Sequence, residues 1–500
     1  MSEAYDVVVI GAGNAAMAAA MSAHEEGASI VVLEKAPKDF RGGNTRFAGG
    51  LFRVSFQKRE QIDKVCEKNG NPDEVNMPVY TNDDFYNDVQ RVAGGQSDDE
   101  LLRFMVENSL DAVQWMTDIG VNLNYNKLSA LKKDADGRTD VPKGGPVRSV
   151  GDGIGLSNDW FDVVDKAGIP VYYETAALDF VRNDSGKVTG VLVRGPEGER
   201  VIDAKATVVA NGGFHSSPAM RTAYLGQEWC NVKIRGTRYN TGEIIRAAVD
   251  RGAEAFGDWS GCHATPIDLD APQYGDFELT DKTNRLSYPF SVMVNLNGDR
   301  FVDEGEDIKF NTYAKTGRAI LNQPFGVAFQ IFDQKNVPYF EPRYKTGKPV
   351  QADTLEDLAK GIAERYKPLE FNVENCLKTL EEYQKAVVAD KEFVPDMKDG
   401  NSTKGLALEK TNWALKLDAP PYLCYAATCG LTFTFGGVKT NIEAEIIDIN
   451  GKRIEGLWGA GECQGGFFYN NYPAGSGLTR GTVYGRIAGR NAATYAKRNA

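Results

Sequence analysis

An apolar run, Val7-Val8-Val9-Ile10, breaks directly into Gly11-Ala12-Gly13-Asn14-Ala15-Ala16, and that junction leaves few folds open to the chain. An uninterrupted apolar run reads as a strand buried on both faces, and a G-x-G-x-x-A turn hands such a strand to a helix. Gly11 makes the turn, Gly13 lets a pyrophosphate approach the backbone, and Ala16 is small enough for helix-on-strand packing. The anion is expected at the helix N-terminus, where unpaired amides and the dipole favour negative charge. The helix is expected to run to Glu26, with Gly27 as a left-handed stop. A second apolar strand, Ile30 to Leu33, ends in Glu34, 23 residues after Gly11, which is the place of an acid that holds an adenosine ribose. Lys35 follows, and then a second glycine-rich loop, Arg41-Gly42-Gly43-Asn44-Thr45. A plain NAD domain would continue into a helix here, whereas a flavin domain uses such a loop to close over the diphosphate and ribityl chain.

A length of 500 residues suggests two to four domains. A net charge of −12 argues against nonspecific nucleic-acid binding, which needs a basic surface. No stretch reaches the ~18 to 20 apolar residues of a membrane span, and no signal peptide precedes the first strand, so a cytoplasmic protein that does not cross the membrane is expected. The 7 cysteines are odd in number and scattered. They suggest neither a disulfide framework nor a metal site, and no haem or iron–sulfur motif appears.

Further along, Asp98 to Ile119 has the periodicity of an amphipathic helix. Residues 142 to 215 read as β structure, including a hairpin across Asp184-Ser185-Gly186 and a buried strand, Ala206 to Ala210, that runs into Asn211-Gly212-Gly213. From Gly257 the texture changes to short loops, aromatics and prolines. The C-terminal part returns to cofactor-like sequence: Leu457-Trp458-Gly459-Ala460-Gly461-Glu462 ends a strand on an acid, and Pro473-Ala474-Gly475-Ser476-Gly477-Leu478 opens a long helix. Such an acid can bind a ribityl hydroxyl, and such a helix N-terminus can stabilise negative charge at the pyrimidine end of a flavin.

The stretches GAGNAA at 11, RGGNTRFAGGLFR at 41, RGTRYNTG at 235, GDWSGCHA at 257, NGDRFVDEG at 297, TYAKTGRAIL at 312, CGLTFTFGGVKTN at 429 and FFYNNYPAGSGLTRGTVYGRIAGR at 467 resemble the flavoprotein subunits of fumarate reductases and succinate dehydrogenases. Within that family the chain looks most similar to the FAD-dependent tricarballylate dehydrogenases. The resemblance implies an α/β fold, with a Rossmann-like FAD-binding domain over 1–258 and 432–500 and an inserted α+β substrate-capping domain over 259–431. It implies non-covalent FAD, since the second glycine loop lacks the histidine that carries a covalent flavin. The expected cradle is Gly11, Gly13, Asn14, Ala15 and Ala16, then Glu34 and Lys35, then Gly42, Gly43, Asn44, Thr45, Gly49 and Gly50. Ala177, Ala210, Gly212, Gly213 and Thr241 come from the middle of the chain, and Gly461, Glu462, Ser476, Gly477 and Leu478 from its end.

The resemblance also implies chemistry on a CH–CH bond beside a carboxylate, with a small carboxylic acid of tricarballylate type as substrate. A separate electron acceptor is implied, with a membrane-associated redox protein among the candidates. Three positions depart from true fumarate reductases. Tyr313 stands for their proton-delivering arginine, Thr432 and Phe433 for their paired histidines, and Tyr472 for their substrate-clamping arginine. Tyrosines at the first and third positions are similar to ketosteroid Δ1-dehydrogenases, so a ketosteroid-like or enoate-reductase-like enzyme stays open, as does an electron-carrier or assembly module. Tyr313 is the expected base, helped by Lys309, Lys315 and Arg318 nearby in sequence. His263 is expected to bind substrate and Tyr472 to hydrogen-bond the developing enolate. Arg53 and Arg148 are weaker candidates for a carboxylate.

Overall fold

The computed structural model describes residues 4–127, 134, 136–395 and 397–498, and these divide into two compact units. The first comprises Met1–Cys230, Gly236–His263 and Phe433–Ala500. Its eight-stranded sheet is mainly parallel. Strand β1 (Ala4–Ile10) leads into helix α1 (Asn14–Glu25) and returns as β2 (Ile30–Leu33). Helix α2 (Asp152–Lys166), the short β3 (Val171–Tyr172), the antiparallel run β4 (Ala176–Arg182), β5 (Val188–Gly195) and β6 (Gly198–Val209), and helix α3 (Glu243–Asp250) follow. β7 (Glu445–Ile447), β8 (Arg453–Gly459) and the long helix α4 (Ser476–Arg498) complete the unit. The strand order is β7-β8-β6-β1-β2-β3, with β5 and β4 extending from β6. Val7 to Ile10 and Ile30 to Leu33 are buried throughout, as strands covered on both faces must be.

The parallel registers Ile10↔Leu33, Ile10↔Val209 and Val209↔Gly459 align the ends of β1, β2, β6 and β8. Gly11, Glu34, Ala210 and Ala460 therefore share one edge of the sheet, the carboxyl end at which open α/β sheets bind ligands. Behind it α4 lies against α1 at backbone distance. A Cβ on Gly485 would come 2.4 Å from the Ala15 carbonyl oxygen, and one on Gly489 would come 2.0 Å from that of Ala19. The alanine-rich character of α1 has this cause: no larger side chain fits between the two helices.

Two expectations need correction. The β texture of residues 142 to 215 is interrupted by α2, which Gly153 and Gly155 disguise by weakening helix propensity. Gly153 is there for packing, since a Cβ at that position would lie 2.4 Å from the carbonyl oxygens of Thr45 and Ala48 in the second glycine loop. The stretch from Asp98 to Ile119 forms two helices, Asp99–Glu107 and Ser109–Asp118, broken at Asn108.

The second unit comprises Asn231–Arg235 and Ala264–Thr432. Its sheet is built on the long strand Tyr422–Thr434, paired antiparallel with Val327–Phe332 and Val350–Ala352. Helices Leu355–Arg365 and Val373–Ala386 supply Leu358, Ile362, Leu380 and Tyr383 to a core with Val294, Phe329 and Ile331. This is an α+β arrangement. Among the described residues no helix is long and apolar enough to cross a membrane, and no group of three or more His, Cys, Asp or Glu could hold a metal.

Candidate functional site

The cradle in the first unit is made mostly of backbone. Gly11 adopts φ +105°, and a Cβ there would fall 2.5 Å from the Ala210 carbonyl oxygen. Gly13 is the N-cap of α1 and has no side chain of its own to bond the first-turn amides, which leaves room for an anion. Ala15 and Ala16 form the first turn behind it, and Gly461 at φ +80° approaches Ala15 so closely that a Cβ would lie 2.7 Å from the alanine's own. Gly42 and Gly43 both take positive φ. Thr45 Oγ1 accepts the Asn14 amide at 2.8 Å, and Asn44 Oδ1 accepts the Thr237 amide at 3.0 Å, so the second loop is tied to the first and to the Thr237 segment. Gly49 and Gly50 end that loop, where Gly50 at φ +72° leaves space for Ser149.

Asn14 has a structural duty beside its place in the cradle. Its side chain donates to the Leu478 carbonyl and to Thr482 Oγ1, each at 3.0 Å, and accepts from Trp160 Nε1 at 2.9 Å, so it fastens α1 to α4 and α2. At the ribose position Glu34 is buried and accepts the Ala36 amide at 2.7 Å. Burial lifts its pKa to about 7, so it is poised to lose a proton when hydroxyl donors arrive. Lys35 pairs with Glu243 at 2.7 Å, and Thr241 donates to the same carboxylate at 2.6 Å. The cation beside the ribose acid is thereby neutralised. Ala177, the second residue of β4, lies two residues after Thr175, whose amide donates to the Glu34 carbonyl at 2.9 Å.

At the other end of the cradle, Gly213 leaves room for the Glu462 carboxylate, which would meet a Cβ there at 2.1 Å. Glu462 Oε1 accepts the Thr434 amide at 2.9 Å and lies 3.1 Å from His215 Nδ1. The acid expected to meet a ribityl hydroxyl thus also anchors the wholly buried His215. Asn211 Oδ1 beside Gly212, His215 Nε2 and Ser476 Oγ at the start of α4 are buried with no hydrogen-bond partner among the described residues. Buried polar groups without partners are costly. Their clustering on the cradle segments, with the glycine N-cap of α1 and the glycine gaps, is what a large polar dinucleotide would satisfy, and the residues fit FAD.

Beside the start of α4 lies a cluster of rings. His263 packs against Tyr472 (4.9 Å between centroids) and Phe433 (5.1 Å), while Phe433 meets Tyr472 edge-on at 4.9 Å. Phe468 closes on Tyr472 at 5.0 Å, and Phe435 on Phe433 at 5.6 Å. The Tyr472 hydroxyl oxygen accepts the Gly477 amide at 2.8 Å, which leaves its own hydrogen to donate elsewhere. Burial raises the Tyr472 pKa, so the phenol stays protonated at neutral pH. Arg53 gives its guanidinium to Tyr80, Asp88 and the Ala474 carbonyl, and Arg148 pairs with Asp152 at 2.7 Å. Both are spent within the fold.

In the second unit Tyr313 is buried on helix Lys309–Leu321, and Arg318, five residues further along it, is half-buried. Gly317 on that helix would place a Cβ 2.6 Å from the Thr265 amide nitrogen, so helix and strand Cys262–Asp268 touch at backbone distance. Of the cations expected to assist Tyr313, Lys309 is paired with Glu341 and Lys315 with Glu306, each at 2.5 Å. Burial alone would raise the Glu341 pKa, but Lys309 and Arg343 outweigh it and hold it near 2. The nearby carboxylate Glu304 is bound to Arg300 at 2.6 Å and accepts the Met293 amide at 2.8 Å. It orders the loop.

A family model described as FAD binding domain matches residues 6–478. A probable fumarate reductase of Shewanella frigidimarina is 30% identical over 504 residues, covering 99% of this chain and 76% of the relative. A vinyl phenol reductase of Lactiplantibacillus plantarum is 24% identical, covering 99% of this chain and 97% of the relative. Among solved structures, the open conformation of a flavocytochrome c3 fumarate reductase superposes with a TM-score of 0.75 at 26% identity, covering 99% of this chain and 79% of that one.

Proposed function

Because this chain belongs to the FAD binding domain family, and is an FAD-dependent oxidoreductase of the fumarate and enoate reductase type, we propose that it acts on a carbon–carbon bond conjugated to a carboxylate or ketone, in a substrate with a flat apolar body. The observation that carries the reading is the ring cluster of His263, Phe433, Phe468 and Tyr472 beside the start of α4. A tricarballylate-like acid brings three carboxylates and needs several cations. The two arginines that sequence reading offered for a carboxylate are already engaged, and no relative named above supports that substrate. A vinyl phenol reductase among the relatives is named for an aromatic substrate, which agrees with a ring-lined seat.

Bound FAD gives or takes a hydride at one carbon of the bond. The chain's own residues do the rest. Tyr472 donates its O–H to the activating oxygen, where negative charge develops during the reaction, and the Gly477 amide fixes its orientation. His263, held edge-on by Tyr472 and tilted against Phe433, orients the same end of the substrate. Tyr313 moves the proton at the other carbon, with Arg318 as the neighbouring cation, and the second unit acts as the capping domain. The FAD is held without a covalent bond. Electrons are exchanged with a separate donor or acceptor protein.

The test is anaerobic. The flavin is reduced with dithionite, and fumarate, aconitate, 3-phenylpropenoate or a Δ1-ketosteroid is mixed in while the return of the oxidised spectrum is followed. The ring-bearing compounds should reoxidise the flavin fastest. Reoxidation by fumarate or aconitate alone would overturn the substrate class, and none by any compound would favour a carrier or assembly module.

A further inference from the structure

Arg480, on the second turn of α4, is the buried charge of the first unit that the fold leaves least compensated. It is 2% exposed. Among the described residues its guanidinium makes one hydrogen bond, from Nη1 to the Gln464 carbonyl at 3.2 Å, while Nε has no partner. Among the described residues no carboxylate lies within ion-pair distance of it. Aromatic rings cover it instead, with the centroids of Phe468 and Phe467 at 4.9 and 5.3 Å from Cζ. Other buried arginines are treated differently. Arg221 donates to the carbonyls of Trp229, His215 and Cys230, and Arg285 is paired with Asp268. Burial depresses the Arg480 pKa, with the more distant Glu462 and the Tyr472 hydroxyl opposing that effect.

A buried guanidinium without a counter-ion costs several kcal/mol. A fold that retains one has a use for it when an anion arrives. Three features converge here. Arg480 follows Ser476 by one helical turn, Ser476 Oγ is itself buried without a partner, and the positive end of the α4 dipole adds to the guanidinium. A flavin that takes up a hydride, two electrons and one proton, from substrate or from an external donor gains one negative charge on its ring.

Resting on the FAD reading above, we propose that Arg480 is the built-in counter-charge for that anion, and that it raises the reduction potential of the bound cofactor. Its guanidinium need not touch the substrate, which makes it a positioning and tuning residue for the reaction.

Arg480→Met has similar volume and no charge. In the flavin-loaded variant, the equilibrium between oxidised and reduced forms should shift toward the oxidised by about tenfold or more, which for two electrons is about 30 mV in midpoint potential. Sulfite, which adds to oxidised flavin and leaves the same negative charge on the ring, should bind at least tenfold more weakly. Arg480→Lys should recover most of both effects. The flavin-free Arg480→Met protein should melt at or above the wild-type temperature, because an uncompensated charge has been removed. Unchanged potential and sulfite affinity, within twofold, would overturn the proposal. So would a flavin-free variant markedly less stable than wild type, or loss of flavin from Arg480→Met with retention by wild type. Failure of the wild-type protein itself to hold flavin would instead overturn the FAD reading on which the proposal rests.

Discussion

The dinucleotide cradle and the ring cluster lie in the same unit and are built on opposite principles. The cradle works through backbone: Gly11, Gly42, Gly43 and Gly461 are where a side chain would collide or the conformation excludes one. The ring cluster works through side chains, from Cys262–Asp268 to Tyr472, that no local pattern links. A site made of backbone constrains sequence position by position and tolerates little change. A site made of side chains can be rebuilt residue by residue, which is how one fold serves different substrates.

The contrast fixes an order of effects. Gly11→Val puts a branched side chain at φ +105° against the Ala210 carbonyl. Purified protein should lose more than nine-tenths of its flavin, read as the ratio of 450 nm to 280 nm absorbance, and full occupancy would break the distinction between the two regions. Tyr313→Phe removes one hydroxyl and no packing. Flavin content should hold while the anaerobic hydride-transfer rate falls by the ~10²- to 10⁴-fold of general acid–base catalysis. A rate within threefold of wild type would reject Tyr313 and return attention to His263. His263→Ala should also keep its flavin but raise the apparent substrate constant ~10- to 100-fold, the worth of one charge-assisted hydrogen bond of about 1.5 to 3 kcal/mol. Loss of flavin from this variant would place His263 in the wrong region.

Smaller effects come from titration. Glu34, proposed to hold the ribose, has a pKa near 7 in the flavin-free protein and would have to ionise to accept two hydroxyls. FAD affinity should therefore strengthen as pH rises through 7, by at most tenfold per unit, and then level off. Equilibrium dialysis of wild type against Glu34→Gln would check this, the variant giving a flat profile. Lys410 in the second unit is a control for Arg480, being buried with Glu304 as a charge neighbour and donating to the Ser291 carbonyl at 2.6 Å. Burial lowers its pKa from 10.5 to about 8, so between those values the unfolded chain binds more protons than the folded one. Stability should rise across that window relative to Lys410→Met, seen as a pH-dependent gap in urea midpoints, with no change in flavin potential.

Much of the first unit was legible. The apolar runs at Val7 and Ile30, the glycines after them and the acid at Glu34 are short-range signals, and each is dictated by contacts within a few residues. Helix α2 was hidden because its glycines answer to the distant carbonyls of Thr45 and Ala48. The link between His215 and Glu462 spans 247 positions and has no local signature. Arg480 has only a weak one, an arginine one turn after the buried start of a helix that carries glycines at 477, 481, 485 and 489. Phe433 and Tyr472 could be noticed only as departures from a resemblance, and their meeting with His263 is a property of the fold.

The claim that ring cluster and substrate belong together is tested most directly by binding to the oxidised protein, where no turnover intervenes. Flavin difference spectra would give dissociation constants for 3-phenylpropanoate and succinate in wild type and in Phe433→Ala. The account predicts that the aryl acid binds at least tenfold more tightly than succinate and that Phe433→Ala erases this preference. Tighter binding of succinate, or a preference untouched by the substitution, would contradict it.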